Sequence, residues 1–257
     1  MNAIHSKTTG NGKRTLILIH GFCSNHEVWD PFRFEIDADW QVITPDLPGF
    51  GHSKMPLTTI SISMIAKQMN DWVQNSGLHK PVVIGHSMGG FVGLAMVTRQ
   101  PGLFSGVGLF HSTAMPDTDD RKTGRNRALD FVRIRGVQRF VDTFVPGQYC
   151  SRFHQSIPRV HQMAAETSER TFFAYTMAMR DRPSSVELLG KLTMPILFLA
   201  GRHDPIFNWE DIEKQANLYP NSTFCLLEDA AHMGMFEASE TAKTAVNNFL
   251  KKIGKRD

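Results

Sequence analysis

The chain has 257 residues, of which 41% are hydrophobic and 21% charged, as is ordinary for a globular protein with one large domain. Its net charge of +3, without a basic cluster interleaved with aromatic residues, argues against nucleic-acid binding. No run of about 18 apolar residues occurs, so the sequence predicts no membrane span.

The N-terminal segment and the cysteines bear on the compartment. Residues 1–16 are polar and lack the apolar middle of a secretory signal. Cys23, Cys150 and Cys225 are far apart, odd in number and without CxxC spacing. We therefore expect packed thiols in a reducing cytoplasm, and neither a disulfide framework nor a zinc site.

Short apolar runs alternate with helical patterns along most of the chain. The predicted strands are 14–20, 41–46, 81–85, 106–111, 195–201 and 222–228, and the predicted helices are 61–75, 91–99, 209–218 and 241–253. Runs that are apolar on both faces suit strands of a parallel sheet covered by helices. The alternation predicts a doubly wound, mostly parallel α/β sheet, in which ligands lie at the carboxyl ends of the strands.

Residues 112–190 interrupt this alternation with a helix-rich insertion, which separates the predicted core into 1–111 and 191–257. Its apolar positions 131, 132, 137, 140, 141 and 144 are spaced for one helical face. The insertion holds 12 basic and 9 acidic residues, so its net charge of +3 equals that of the whole chain. Either a solvated basic surface or mild attraction for an acidic substrate accounts for this charge.

Ser87 lies at the centre of a G-x-S-x-G pattern, residues 85–89, that follows a predicted strand and opens a helical pattern. The pattern alone is weak, but a serine in this context sits on a sharp, strained turn with its hydroxyl exposed. The N-terminus of the following helix presents free amides to negative charge that develops nearby. Ser87 is therefore the candidate nucleophile.

A serine hydroxyl needs a base, and the base needs an orienting acid. Of the eleven histidines, His232 follows the last predicted strand, and Asp204 lies in the turn after the strand before it. The chain order Ser87, Asp204, His232 is the one expected on this scaffold. Glu228 and Asp229 are rival acids, but neighbours on a loop seldom point into each other.

Two backbone amides are needed to bind an oxyanion. That of Met88 follows the nucleophile, and that of Phe22 lies in the loop after the first predicted strand. His20 is expected to bond that loop's backbone. His111 ends a strand near the expected site, where it serves either as a substrate contact or as a structural hydrogen-bonding group.

Several short motifs resemble the α/β-hydrolase superfamily. They are HGF at 20–22, DLPGFGHS at 46–53, GHSMGG at 85–90, GRHDP at 201–205 and AAHM at 230–233. They occur in the family's order and at its intervals over nearly the whole chain, which looks most like small bacterial carboxylesterases and enol-lactonases. The resemblance implies that 112–190 forms a helical cap, with aromatic residues such as Phe144 and Phe172 lining an apolar acyl or alcohol pocket.

The resemblance also separates branches of the superfamily. Haloalkane dehalogenases and epoxide hydrolases carry aspartate where this chain has Ser87, and carbon–carbon bond hydrolases usually have more glycine than residues 22–25 provide.

We expect a hydrolase without metal or cofactor that cleaves a small carboxylic ester through an acyl-enzyme. A lactonase, a thioesterase or a C–C bond hydrolase could use the same residues, and a ligand-binding protein with negligible turnover is the alternative of another class. Nothing in the sequence indicates the oligomeric state.

Overall fold

A computed structural model describes residues 4–254, and a single seven-stranded sheet lies at its centre. The strands are β1 (Ser6–Thr9), β2 (Arg14–Ile19), β3 (Trp40–Pro45), β4 (Val82–His86), β5 (Gly106–Phe110), β6 (Ile196–Gly201) and β7 (Ser222–Leu227). Their spatial order is β1-β3-β2-β4-β5-β6-β7. β1 runs antiparallel to β3, and every other pairing is parallel.

The predicted α/β class with a mostly parallel sheet is confirmed. Each of the six predicted strands is present to within one residue at either end. β1 was not predicted, because its sequence SKTT is short and polar, and its residues are only partly buried. It is held instead by its antiparallel pairing with β3, in which Ser6 lies opposite Pro45.

The helices follow the strands and cover both faces of the sheet. They are α1 (Asp30–Arg33), α2 (Ile62–Asn75), α3 (Met88–Arg99), α4 (Asp119–Phe144), α5 (Ile157–Ala165), α6 (Glu169–Arg180), α7 (Val186–Leu189), α8 (Trp209–Asn217), α9 (Gly234–Glu237) and α10 (Ser239–Gly254). Short 3-10 helices cover His26–Trp29, Pro101–Leu103 and Pro146–Gln148. No helix within residues 4–254 combines the length and apolarity that crossing a bilayer requires.

The strands bury side chains on both faces, as the continuous apolar runs predicted. Ile17 and Ile19 of β2 belong to the core cluster that contains α2 and α3 side chains. Leu16 and Leu18 belong to the opposite cluster, which contains Phe249 of α10. Because successive strand residues point to opposite faces, one strand contributes to both cores and fixes the layer order α–β–α.

The segment between β5 and β6 carries four helices, α4 to α7. α4 is broken at Gly136, whose φ of 79° lies in the left-handed region that glycine tolerates. Val132 and Val141 are buried on either side of the break, as predicted, whereas Phe131 is 43% exposed. The prediction for Phe131 was wrong because adjacent helical residues point about 100° apart, and before the break it is Val132 that faces the core, which leaves Phe131 at the edge of the apolar face.

Candidate active site

Ser87 occupies a strained turn between β4 and α3. Its φ of 52° and ψ of −116° are rare for a residue with a Cβ. The turn is fixed from both sides, because the Ser87 N–H donates to the Phe110 carbonyl at 2.9 Å. The Ser112 hydroxyl in turn donates to the Ser87 carbonyl at 2.7 Å. Surrounding hydrogen bonds therefore hold a backbone conformation that the residue would otherwise avoid.

The two glycines of the G-x-S-x-G pattern are required by close backbone approach. A Cβ on Gly85 would lie 2.1 Å from the carbonyl of Gly89. A Cβ on Gly89 would lie 2.4 Å from the Ile19 carbonyl oxygen of the neighbouring strand. Both distances are far below van der Waals contact, so only glycine allows the turn to pack against β2.

Asp204 and His232 are joined by a hydrogen bond at the carboxyl ends of β6 and β7. His232 Nδ1 lies 2.8 Å from Asp204 Oδ2, and both side chains are buried. The other carboxylate oxygen accepts the backbone N–H groups of Ile206 at 2.8 Å and Phe207 at 3.1 Å. The carboxylate is thus held by the turn that follows it and aimed at the imidazole.

The electrostatics of this pair fix the histidine tautomer. Burial by itself would raise the pKa of Asp204, but the charge of His232 and hydrogen bonds from His111 and His232 outweigh burial and lower that pKa well below its usual range. An ionised Asp204 accepts the proton on His232 Nδ1. The lone pair of His232 therefore lies on Nε2, the nitrogen that a general base uses.

The two rival acids lie elsewhere. Glu228 forms a bidentate ion pair with Arg202, whose Nε and Nη2 lie 2.8 and 2.9 Å from the two carboxylate oxygens. Asp229 is exposed. Asp204, rather than either neighbour in sequence, contacts the His232 ring.

The backbone of His232 is anchored at both its amide and its carbonyl. Its N–H donates to the Gln148 carbonyl at 2.9 Å. Its carbonyl accepts the Nε2 proton of His86 at 2.9 Å, and the two imidazole rings lie 4.8 Å apart. Because His86 immediately precedes Ser87, this bond couples the histidine loop to the serine turn.

His111 lies behind Asp204. Its Nδ1 is 3.2 Å from Asp204 Oδ2, and its Nε2 accepts the Gly234 N–H at 3.3 Å. The ring is fully buried, and burial lowers its pKa despite the attraction of Asp204. The structure therefore brings His111 to the acid, whereas the sequence left open whether it contacts substrate or bonds structurally.

A small cleft of about 20 Å³ opens beside Ser87. Phe22 and Phe144, two of the predicted site residues, line it with Ser87. The remaining lining residues are Gly21, Cys23, Ser24, Val28, His86, Gln148, Val160 and Met233. Among residues 4–254, no acceptor takes up the backbone N–H of Phe22 or of Met88. These two amides are thus available to an oxygen atom bound beside Ser87.

Phe172 does not line this cleft. It is fully buried, with its ring 5.1 Å from that of Phe22 and 4.8 Å from that of Phe140. The Phe144 ring lies 6.2 Å from that of Phe22. Phe172 therefore supports the position of Phe22, while Phe144 lies at the cleft itself.

Larger hollows exist away from Ser87. One of about 570 Å³ adjoins Asp204 on the side of Arg121, Phe207 and Trp209. Neither Ser87 nor His232 lines it. Another, of about 630 Å³, lies between Met55 and Pro183 and also lacks Ser87. Size alone would favour these hollows as the site, but the smaller cleft contains Ser87 and Phe22.

Glu237 and Gln148 are site-supporting residues that the sequence did not reveal. Glu237 Oε2 accepts the N–H groups of Ala231 at 3.0 Å and Met233 at 3.3 Å, on either side of His232. Its other oxygen accepts the Cys150 N–H at 2.6 Å. Glu237 is one of 25 acidic residues and carries no motif, so only the fold could identify it.

The donor atoms of His111, Asp204 and His232 also lie within 4.8 Å of one another, as metal ligands would. Both rings, however, face the same oxygen of Asp204, and all three side chains are almost completely buried. Because none of the three side chains is more than 1% exposed, a metal ion has no open path to these atoms, and it would also have to break the Asp204–His232 bond. The arrangement is suited to holding and moving a proton.

Comparison with known proteins shows similarity along the chain. A family model described as alpha/beta hydrolase fold matches residues 14–145. The solved structure of a malate-bound thermophilic esterase from Thermogutta terrifontis is 30% identical, with a TM-score of 0.90, covering 97% of this chain and 93% of that one. An enol-lactonase from Burkholderia xenovorans shares the fold, with a TM-score of 0.87, 18% identity and coverage of 96% of both chains. A pimeloyl–acyl-carrier-protein methyl ester esterase from Citrobacter koseri is 27% identical over 90% of this chain and 92% of its own.

Proposed function

Because the chain belongs to the α/β-hydrolase fold family, as its motifs predicted, we propose that it is a serine hydrolase that cleaves a small carboxylic ester through an acyl-enzyme. One observation carries the proposal. Ser87 sits on a strained turn in a cleft, and His232, whose ring lies 4.8 Å from that of the preceding residue His86, is held by a buried, ionised Asp204. The esterases among the similar proteins support the same reaction class.

Acylation follows from the roles of three side chains. His232 Nε2 takes the Ser87 hydroxyl proton as Oγ attacks the ester carbonyl carbon. Asp204 stabilises the resulting imidazolium and keeps its Nδ1 proton directed inward. The imidazolium then protonates the departing alkoxide, so the alcohol leaves and the acyl group remains on Ser87.

The negative charge of the tetrahedral intermediate falls on the former carbonyl oxygen. The Phe22 and Met88 amides are proposed to bind it, and the N-terminus of α3 adds a favourable dipole. One such donor is worth roughly 10²–10³ in turnover in serine proteases. Water, activated by His232, then attacks the acyl-enzyme and releases the acid.

The helices α4 to α7 are proposed to form a cap that shapes the substrate site. Phe144 of α4 and Gln148 after it line the cleft with Ser87. A volume of about 20 Å³ holds roughly one water molecule. Substrate entry therefore requires this segment or its side chains to move, and small esters require the least movement.

The direct test is active-site labelling. A fluorophosphonate probe should label the wild type on Ser87 and fail to label Ser87→Ala, while the variant keeps the wild-type circular dichroism spectrum. Turnover of a p-nitrophenyl acyl ester should fall by roughly a millionfold, the size of effect seen in serine proteases. Labelling of any other serine would contradict the assignment.

A substrate panel separates the remaining alternatives. p-Nitrophenyl esters of rising acyl length, lactones, thioesters and a C–C bond substrate should be compared at equal enzyme concentration. The proposal expects the highest kcat/KM among short esters. A higher value for a lactone, thioester or C–C substrate would change the reaction assigned to the same residues. A labelled Ser87 without turnover of any compound would favour a ligand-binding protein.

A further inference from the structure

A second group of histidines surrounds Asp46, at the edge of the sheet where β1 pairs with β3. His5 directly precedes β1, and Asp46 directly follows β3. Because these strands are antiparallel, the start of one lies beside the end of the other. His26, in the loop after β2, and His52, in the loop after β3, complete the group.

The polar atoms of this group converge on one carboxylate. His5 Nδ1 lies 2.9 Å from Asp46 Oδ2, and His26 Nδ1 lies 2.8 Å from Asp46 Oδ1. Ligand atoms of these three residues all lie within 4.8 Å of one another. The His52 ring is 4.7 Å from that of His5 and 6.2 Å from that of His26.

Asp46 is held in a fixed position. Its side chain is fully buried and accepts the backbone N–H groups of His26 and His52 at 2.8 and 2.9 Å. Together with the two contacts to the His5 and His26 rings, these bonds keep the carboxylate in place without help from a bound ion.

Imidazole and carboxylate are the ligands that zinc and its neighbours in the transition series accept. We propose that His5, His26 and Asp46 bind one divalent transition-metal ion such as Zn²⁺, with water in the remaining position. A neutral imidazole that ligates through Nδ1 carries its proton on Nε2, so a change of tautomer frees both histidines. The His5 side chain is 31% exposed, which leaves an entry path for the ion.

The geometry needs only a small adjustment. Ligands about 2.0–2.2 Å from a tetrahedral zinc lie roughly 3.3–3.5 Å apart. The present nitrogen–oxygen distances of 2.9 and 2.8 Å must therefore widen by about half an ångström. His5, the more exposed of the two histidines, can supply this movement.

The ion would cross-link three segments that are distant in the chain. His5 and Asp46 are separated by 41 positions and His26 and Asp46 by 20. No spacing motif connects them, which is why the sequence predicted no metal site. A ligand that binds the folded but not the unfolded chain stabilises the fold. Zn²⁺ should thus raise the melting temperature through this site.

The test is Zn²⁺ binding to chelator-treated protein, measured by titration calorimetry, with thermal unfolding in parallel. The triad histidine could also attract zinc, so the titration is repeated in His232→Gln. We expect one ion per chain in the wild type and in His232→Gln. His5→Gln should weaken binding at least tenfold and abolish the thermal shift, whereas exposed His79→Gln should change neither.

Esterase turnover without zinc provides a folding control for these variants. His5→Gln should retain wild-type turnover, because His5 does not line the cleft that contains Ser87. Failure of the esterase assay in the wild type would overturn the proposed function and leave the zinc result standing. Absence of zinc binding in the wild type, loss of binding in His232→Gln, or unchanged binding in His5→Gln would each overturn the metal site.

Discussion

Two imidazole rings contact the same carboxylate oxygen of Asp204, Oδ2, through their Nδ1 atoms, at different distances. His232 Nδ1 lies 2.8 Å away and His111 Nδ1 3.2 Å. The shorter bond belongs to the ring beside the serine turn. The longer bond belongs to a ring that is fully buried and does not line the cleft beside Ser87. In the proposed reaction, His111 therefore acts only through the position and charge of Asp204.

Substitutions test whether Asp204, rather than Asp229, is the acid that orients His232. Asp204→Asn should lower kcat by about ten-thousandfold, as in a serine protease, because an amide stabilises the wrong histidine tautomer. Asp229→Asn should have little effect, because Asp229 is exposed. The measurement is the kcat of both variants with the same p-nitrophenyl ester. A larger loss in Asp229→Asn would identify a different acid.

Substitution of Phe144 tests whether helices α4 to α7 determine which acyl chain length is preferred. Phe144→Ala enlarges the cleft beside Ser87, so the preferred acyl chain should lengthen. The rate of Ser87 labelling by a small phosphonate should stay nearly unchanged, because the reacting groups are intact. The comparison is a chain-length series measured in both assays.

The matched control for this change is Phe131→Ala, which removes an exposed ring from the same helix. It should alter neither chain-length preference nor labelling. Phe172→Leu should act indirectly, because Phe172 packs on Phe22 and does not line the cleft. Unaltered preference in Phe144→Ala, with folding intact, would place acyl selection elsewhere.

At the scale of elements, the sequence predicted those strands and helices whose own residues show an apolar pattern. α2 is an example, because Ile65 and Met69 recur at helical spacing and are both buried. β1 could not be predicted, because pairing with β3 rather than apolar side chains holds it. The break in α4 at Gly136 was also missed, since an isolated glycine inside a helical pattern is usually tolerated.

The residues of the candidate site likewise fall into those that the sequence predicted and those that it did not. Ser87, Asp204 and His232 follow strands whose ends meet at one edge of the sheet, so topology alone brings them close. Glu237 and Gln148 act through tertiary hydrogen bonds that no local pattern encodes. His111 was recognised as near the site, but its contact with Asp204 depends on side-chain direction, which the sequence does not give.

Glu237 provides a test at this scale, because one carboxylate joins α9, the His232 loop and the segment before α5. Glu237→Ala leaves the N–H groups of Ala231, Met233 and Cys150 without their acceptor. An unpaired buried polar group costs about 1–3 kcal/mol, which applies to buried Ala231 and Met233 and not to exposed Cys150. We expect a lower melting temperature and at least a tenfold lower kcat.

Glu237→Gln keeps one acceptor oxygen and should recover part of kcat, which a general loss of stability would not explain. Exposed Glu187→Ala on α7 is the matched control and should behave as wild type. Wild-type kcat in Glu237→Ala would show that the histidine loop holds its position unaided.

For the whole molecule, buried neutral histidines dictate the response to acid. Burial lowers the pKa of His20 to about 4, and burial also lowers the pKa values of His86 and His111. The unfolded chain binds these protons near pH 6.5, whereas the folded chain resists them. Stability is therefore complete above about pH 6.5 and is lost as the pH falls towards 4.

His20 alone should contribute a loss of about 2 kcal/mol in unfolding free energy between pH 7 and pH 5. Its ring bonds the Gly21 carbonyl through Nδ1 and accepts the Leu47 N–H through Nε2. His20→Gln can make similar bonds without titrating, so its stability should fall less steeply with acid. Urea unfolding at several pH values measures both slopes, and parallel slopes would refute this account.

The hydrogen bonds that His232 donates to Gln148 and that Cys150 donates to Glu237 have a consequence for recombination between relatives. A cap that rested on the core only through apolar contact could be exchanged as a unit to transfer substrate preference. Here the same segment also supports the loop that carries His232, the proposed base. Chimaeras that replace residues 112–190 as one block should therefore lose turnover along with selectivity, whereas grafts that retain 146–150 should keep His232 in place.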